Sequence, residues 1–155
     1  MKILLVIILF SLGSCIQKTN HYKNEQDILD EISKKYNINS GVKYKIYIIT
    51  GLDGCGACLD YTVDFIEKQS TNSNIAFIVS GQSRAKLKIL FKYSTIHRSN
   101  FIRDTLEYAL KKELIQQQNP KAFFCNSGRI IDSKDVTYRN ADSVFNYVNS
   151  FLKLK

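Results

Sequence analysis

Two hydrophobic periods alternate along this chain, and the switches between them predict its elements. From Asn24 to Tyr36, residues Ile28, Leu29, Ile32 and Tyr36 share one face at helical spacing. Asn24, with Asp27 three residues on, gives that helix a capping signature. Asn37 to Gly41 is a turn. Val42 to Thr50 (VKYKIYIIT) opens with alternation and closes in an unbroken apolar run, as a strand does on entering a buried sheet. Gly51 to Gly54 is a loop, and Leu59, Val63 and Ile66 then continue a helix to about Lys68. Asn74 to Ser80 (NIAFIVS) is a second buried strand, closed by Gly81. Gln82 to Tyr93 is expected to be helical, with Leu87, Leu90 and Phe91 facing the core.

Thr95 to Arg103 leaves room for a short strand near Asn100 to Ile102. Leu106, Leu110 and Leu114, with the Glu107–Lys111 pair four apart, predict a helix from Asp104 to Gln117, stopped by Asn119-Pro120. Lys121 to Cys125 and Arg129 to Asp132 are strands joined by a hairpin turn at Asn126-Ser127-Gly128. Asp135 to Arg139 is loop. Ala141 to Leu152 is a last helix, burying Val144, Val148, Phe151 and Leu152. Helices and strands therefore interleave around one mixed sheet, an α/β arrangement.

Composition narrows the class. At 155 residues and 45% hydrophobic content, one domain with a core is expected and a disordered chain is excluded. One Pro, seven Gly and the lack of a repeat exclude collagen-like and solenoid chains, and four Cys are too few for a disulfide-stapled miniprotein. A net charge of +8 invites a nucleic-acid reading. The lysines are spread, however, as Lys34-Lys35, Lys86, Lys88, Lys92 and Lys111-Lys112, the pattern of solvated helix faces. No nucleic-acid partner is expected.

The N-terminus addresses the compartment. Met1-Lys2 is a minimal positive region, and Ile3 to Leu12 is an apolar run of ten residues. A membrane span needs about 20, whereas ten suits a signal-peptide core. Leu12-Gly13-Ser14-Cys15 follows and resembles the lipobox of bacterial lipoproteins: an aliphatic residue, two small residues that admit a peptidase, then Cys. The resemblance implies that residues 1–14 are a signal peptide and that Cys15 is acylated. Residues 15–23 are then a polar tether and 24–155 the folded domain. The implied location is the cell envelope, lipid-anchored and facing the periplasm or exterior. Ile16 stands where enteric bacteria use Asp to retain lipoproteins in the inner membrane, which favours the outer membrane.

The chemistry sits at Cys55-Gly56-Ala57-Cys58, at the start of a helix that follows a buried strand. A helix N-terminus offers unpaired N–H groups and the positive end of the dipole, which stabilise a thiolate at Cys55. Such sites bring a thiol from about 8.5 down to roughly 3.5–7.5. Cys58 lies one turn on and can resolve a mixed disulfide formed at Cys55. Gly56 and Ala57 are small enough to let a partner chain approach.

From Val42 to Leu152 the chain resembles the thioredoxin-like family. The resemblance rests on the strand–Cys55-Gly56-Ala57-Cys58–helix unit, a second strand and helix, Pro120 opening Lys121 to Phe124, then Gly128-Arg129 and a terminal helix. It implies a three-layer sandwich with a mixed central sheet flanked by helices. It also implies a thiol–disulfide oxidoreductase with Cys55 and Cys58 catalytic. Gly54, Gly56, Ala57, Asn119 and Pro120 would shape a substrate groove, with Pro120 cis and the Asn119 amide and carbonyl free for an extended peptide. Leu52 and Ile96 or Phe101 would add an apolar patch. With Cys15 as anchor, the likeness is greatest to small TlpA-type tethered proteins. That implies a reductase of protein disulfides, recharged by a membrane or periplasmic redox partner, with no cofactor and no metal.

The chain departs from the family pattern. Gly54 replaces the usual aromatic before the first Cys, Ala57 replaces the usual Pro, and Ile48-Ile49-Thr50 lacks the usual buried acid. Asp53 and Asp60 would oppose a thiolate at Cys55 by charge. Two other readings stay open: a non-catalytic binding lipoprotein on the same scaffold, and a copper chaperone using Cys55, Cys58 and His97. His21 and Cys125 are the only further soft donors once Cys15 is acylated. Cys125, beside Phe124, reads as a buried thiol, with a resolving role as the alternative.

Overall fold

A computed structural model describes residues 21–38, 41–116 and 119–153 of the chain. The expected signal peptide, Cys15 and the expected tether up to Asn20 lie outside the described residues. The elements run α1 (Lys23–Lys35), β1 (Tyr44–Gly51), α2 (Gly56–Gln69), β2 (Ile75–Ser80), α3 (Arg84–Leu90), α4 (Tyr93–Ile96), β3 (Phe101–Asp104), α5 (Tyr108–Lys111), β4 (Lys121–Asn126), β5 (Arg129–Asp135) and α6 (Ala141–Leu152). The five strands form one sheet in the order β3-β2-β1-β4-β5. β1, β2 and β3 are parallel, and β4 and β5 are antiparallel additions. The expected α/β class with a mixed sheet is what the chain adopts.

Side chains alternate across the strands, so the sheet feeds two cores. Ile46, Ile48, Phe77, Phe101 and Phe124 face α2, α3 and α6. Tyr47, Ile49, Ile78, Ile102 and Phe123 face α1 and the α5 segment. β1 is central and covered on both sides, which explains its unbroken apolar run. Phe65 of α2 stacks on Phe145 of α6, with centroids 4.2 Å apart.

Four expectations are corrected. Asn24 does not cap α1. The helix starts one residue earlier, after Tyr22, with no side-chain cap. The helix expected over 82–93 stops at Leu90. Phe91 is extended and packs against Phe101, and the Glu67 carboxylate accepts the Lys92 N–H (2.8 Å) and the Thr95 hydroxyl (2.8 Å), starting α4 afresh. The helix expected over 104–117 is absent. Asp104 ends a strand, Glu107 and Glu113 are left-handed (φ 56° and 57°), and among the described residues of that span only Tyr108–Lys111 is helical. Leu106, expected on the same helix side as Leu110 and Leu114, is 56% exposed. β5 runs to Asp135, past its expected end at Asp132, because it pairs with β4 as far as Lys121, with a register shift opposite Phe124/Cys125. The hairpin turn is as expected, with Ser127 (φ 49°) and Gly128 (φ 78°) in the left-handed conformation that suits a two-residue loop.

Candidate functional site

The parallel strands end together. Gly51 pairs with Ser80, and Ser80 with Asp104. From that edge Leu52 to Gly54 carries the chain to Cys55. Leu52 is held by its N–H, which donates to the Ser80 carbonyl (2.9 Å). It is 1% exposed and fills the space over Gly81, whose missing Cβ would lie 2.8 Å from the Leu52 side chain. Gly81 has φ 152°, so its form and its packing both call for glycine.

Cys55 is the N-cap of α2. Its sulfur accepts the Cys58 N–H at 3.4 Å, a donor that the helix itself leaves unpaired. Cys55 and Cys58 are disulfide-bonded, with Cα atoms 5.3 Å apart. The two sulfurs are unequal in access. Cys55 is half-buried, whereas Cys58 is 2% exposed. Below Cys58, the buried Thr62 hydroxyl donates to the Cys58 carbonyl at 2.8 Å and fastens the first turn. Gly56 and Ala57 are exposed, and beyond its chain neighbours and its own helix backbone no atom lies within 4 Å of where a Gly56 side chain would begin. The first turn of α2 contains no acid. Asp53 is turned to the Lys86 ammonium (2.7 Å), so its charge is shared in an exposed pair. Asp60 is exposed in the second turn.

Pro120 is buried, and Lys121 pairs with Ile49, which puts Pro120 level with the end of β1 that leads to Cys55. Its peptide bond is trans, since the described residues hold no cis bond, and this corrects the cis expectation. The Asn119 N–H is not free for a peptide either: it donates to the Gln116 carbonyl (2.9 Å). The Pro120 carbonyl accepts from the Val136 N–H (2.7 Å), extending the β4–β5 ladder. The apolar patch is also corrected. Leu52 and Phe101 are core residues, and Ile96 is only partly exposed.

His97 is exposed and stacks on Tyr93 with centroids 4.0 Å apart, its Nδ1 2.8 Å from the Tyr93 carbonyl. Among the described residues, no three His, Cys, Asp or Glu side chains gather as a metal ion requires. The donor set for a copper site at Cys55, Cys58 and His97 is thus not brought together.

Cys125 is free and 1% exposed. Burial, and secondarily the Asp30 carboxylate, push its thiol up to about 12. A group with a raised folded pKa stabilises the fold while protonated. That contribution is complete below pH 9, the ordinary value, and disappears as pH climbs to about 12. Urea-unfolding free energies should therefore fall across that window, and Cys125→Ala should flatten the fall. Tyr36, raised by burial and by its bond to Asp104, adds a loss of the same sign at higher pH.

Sequence reasoning missed Asp104. It is 0% exposed and accepts from the Tyr36 hydroxyl (2.7 Å), the Ser80 hydroxyl (2.9 Å) and the Ala109 N–H (2.8 Å). One carboxylate thus joins α1, β2, β3 and α5 at the pole that carries the cysteines. No spacing in the sequence announces it, because its partners come from three separate segments.

No family model and no curated protein sequence matches this chain.

Proposed function

We propose that this chain is a thioredoxin-like, membrane-tethered thiol–disulfide oxidoreductase that reduces protein disulfides. One observation carries the reading: a half-exposed Cys55 at a helix N-cap, bonded to a buried Cys58, beside an open Gly56-Ala57 surface. The strand–Cys55-to-Cys58–helix unit, the second parallel strand, the antiparallel hairpin and the closing helix support the family likeness. The trans Pro120 does not, so the groove is formed without that feature.

In the reduced protein the helix N-terminus favours a thiolate at Cys55. That thiolate attacks one sulfur of a substrate disulfide, forming a Cys55–substrate bond. The substrate's other sulfur leaves as a thiolate and takes a proton. Cys58, once deprotonated, attacks the Cys55 sulfur, and the remaining substrate sulfur leaves. The substrate gains two electrons, and the protein is left with the Cys55–Cys58 disulfide. A dithiol partner in the envelope returns the pair to the reduced state by the same two exchanges in reverse. Gly54, Gly56, Ala57 and the Asn119-Pro120 segment form the surface on which the substrate chain lies.

A small closed loop explains why this disulfide serves exchange. Bridging residues three apart removes little freedom from the unfolded chain, so it stabilises little. The test is turnover: with a dithiol reductant, catalytic amounts of protein should accelerate reduction of a protein disulfide. An acceleration no greater than that of Cys55→Ser would refute the reading.

The tether is proposed through acylated Cys15. No described helix is long and apolar enough to cross a membrane. Cys15→Ser should move the protein from the membrane fraction to the soluble fraction. Unchanged membrane association would refute the anchor.

A further inference from the structure

At the pole opposite the cysteines, the second residue of β1 is a lysine where a core residue would be expected. Lys45 is 5% exposed, pairs with Cys125, and lies on the face that holds Tyr47 and Ile49. Its ammonium donates to the Ser73 carbonyl at 2.8 Å. No carboxylate among the described residues lies within ion-pair distance of it. A buried cation with one neutral partner is costly, and proteins normally avoid the cost by pairing the charge. Burial accordingly lowers its pKa.

Lys45 and Ser73 line a cavity of about 410 Å³, within the range of about 300–1,000 Å³ typical of small-molecule sites. Arg98 contributes a second cation to the wall, and Thr71 and Ser99 bring hydroxyls, with no Asp or Glu among the lining residues. The wall is fixed by Asn100, whose amide donates to the Asn72 (3.0 Å) and Ile75 (3.1 Å) carbonyls. Lysine supplies a point charge and arginine a planar fork, and both suit an oxyanion.

We propose that this cavity binds a small phosphomonoester, with its phosphate between Lys45 and Arg98. Two cations match a dianion, and the neighbouring hydroxyls suit its terminal oxygens. The volume exceeds that of a phosphate, which leaves room for an organic body against Ile38 and Val42. Lys45 stands six residues before the end of β1. At about 3.3 Å per residue the site is about 20 Å from the cysteine pole. It is a site separate from the exchange reaction and does not depend on it.

The test uses the full chain labelled with ¹⁵N. It is titrated with inorganic phosphate and with glycerol 3-phosphate, each against chloride at matched ionic strength and pH. Amide signals of Ser73, Arg98 and Asn100 should shift saturably with both phosphates, more tightly with the ester, and not with chloride. Lys45→Met and Arg98→Gln should each weaken binding about tenfold or more, the scale of a lost charge-assisted hydrogen bond. Arg98 is exposed, so Arg98→Gln carries the test if Lys45→Met does not fold. Equal shifts in chloride, an ester that binds more weakly than inorganic phosphate, or affinities untouched by Arg98→Gln would each overturn the proposal.

Discussion

Replacing Cys58 by Ser should trap protein substrates as mixed disulfides through Cys55, and replacing Cys55 by Ser should trap none. The asymmetry follows from access. Cys55 is half-buried at the N-cap, where a substrate sulfur can reach it, and Cys58 is 2% exposed behind it. On the proposed reading, Cys55 begins the exchange and Cys58 ends it. Either substitution should therefore bring turnover with a protein disulfide down to the uncatalysed rate, for different reasons. Cys55→Ser removes the nucleophile. Cys58→Ser stops after the first exchange, so product accumulates as a covalent adduct visible on a non-reducing gel and released by excess dithiol. Adducts formed through Cys58 in the Cys55→Ser protein would contradict the assignment of roles.

The largest loss of stability is expected at a residue outside the exchange chemistry. Asp104→Ala removes the acceptor of three donors, the Tyr36 and Ser80 hydroxyls and the Ala109 N–H. An unsatisfied buried donor costs about 1–3 kcal/mol. Tyr36 is half-buried and its hydroxyl can turn to water, which lowers its share. The sum expected is about 3–5 kcal/mol, a large part of the roughly 5–15 kcal/mol that holds a domain together. Urea unfolding of Asp104→Ala and of Tyr36→Phe measures it. Tyr36→Phe should cost about 1–3 kcal/mol, since it leaves Oδ1 of the buried Asp104 carboxylate without its donor. A loss below about 1 kcal/mol for Asp104→Ala would mean that the carboxylate does not join these elements.

How much of this was legible in the sequence depends on how local each cause is. β1, β2 and β4 were readable because a strand covered on both faces must be apolar at every position, and IYII, IAFIV and AFFC are. α6 was readable to the residue, since Val144, Val148 and Phe151 fix its buried face. The cysteine pair was readable because its helix N-cap lies within four residues of itself. The failures have distant causes. Leu106, Leu110 and Leu114 keep perfect helical spacing, yet Asp104 is claimed by Tyr36 and Ser80, far away in the chain, and its strand pairing forbids the helix. Phe91 leaves its helix for Phe101, and Glu67 restarts the next one. Pro120 is set by the ladders of β1 and β5 on either side of β4. Lys45 reads as the polar half of an alternating strand, and only the packing reveals that it is buried beside a cavity.

The central claim is that Cys55–Cys58 is an exchanging pair and not a structural bond. Its reduction potential decides this most directly, from the oxidised fraction across a series of glutathione or dithiothreitol redox buffers. The account predicts a two-electron transition between about −270 and −120 mV, the span of dithiol oxidoreductases. A potential below about −300 mV, where structural disulfides lie, would contradict it.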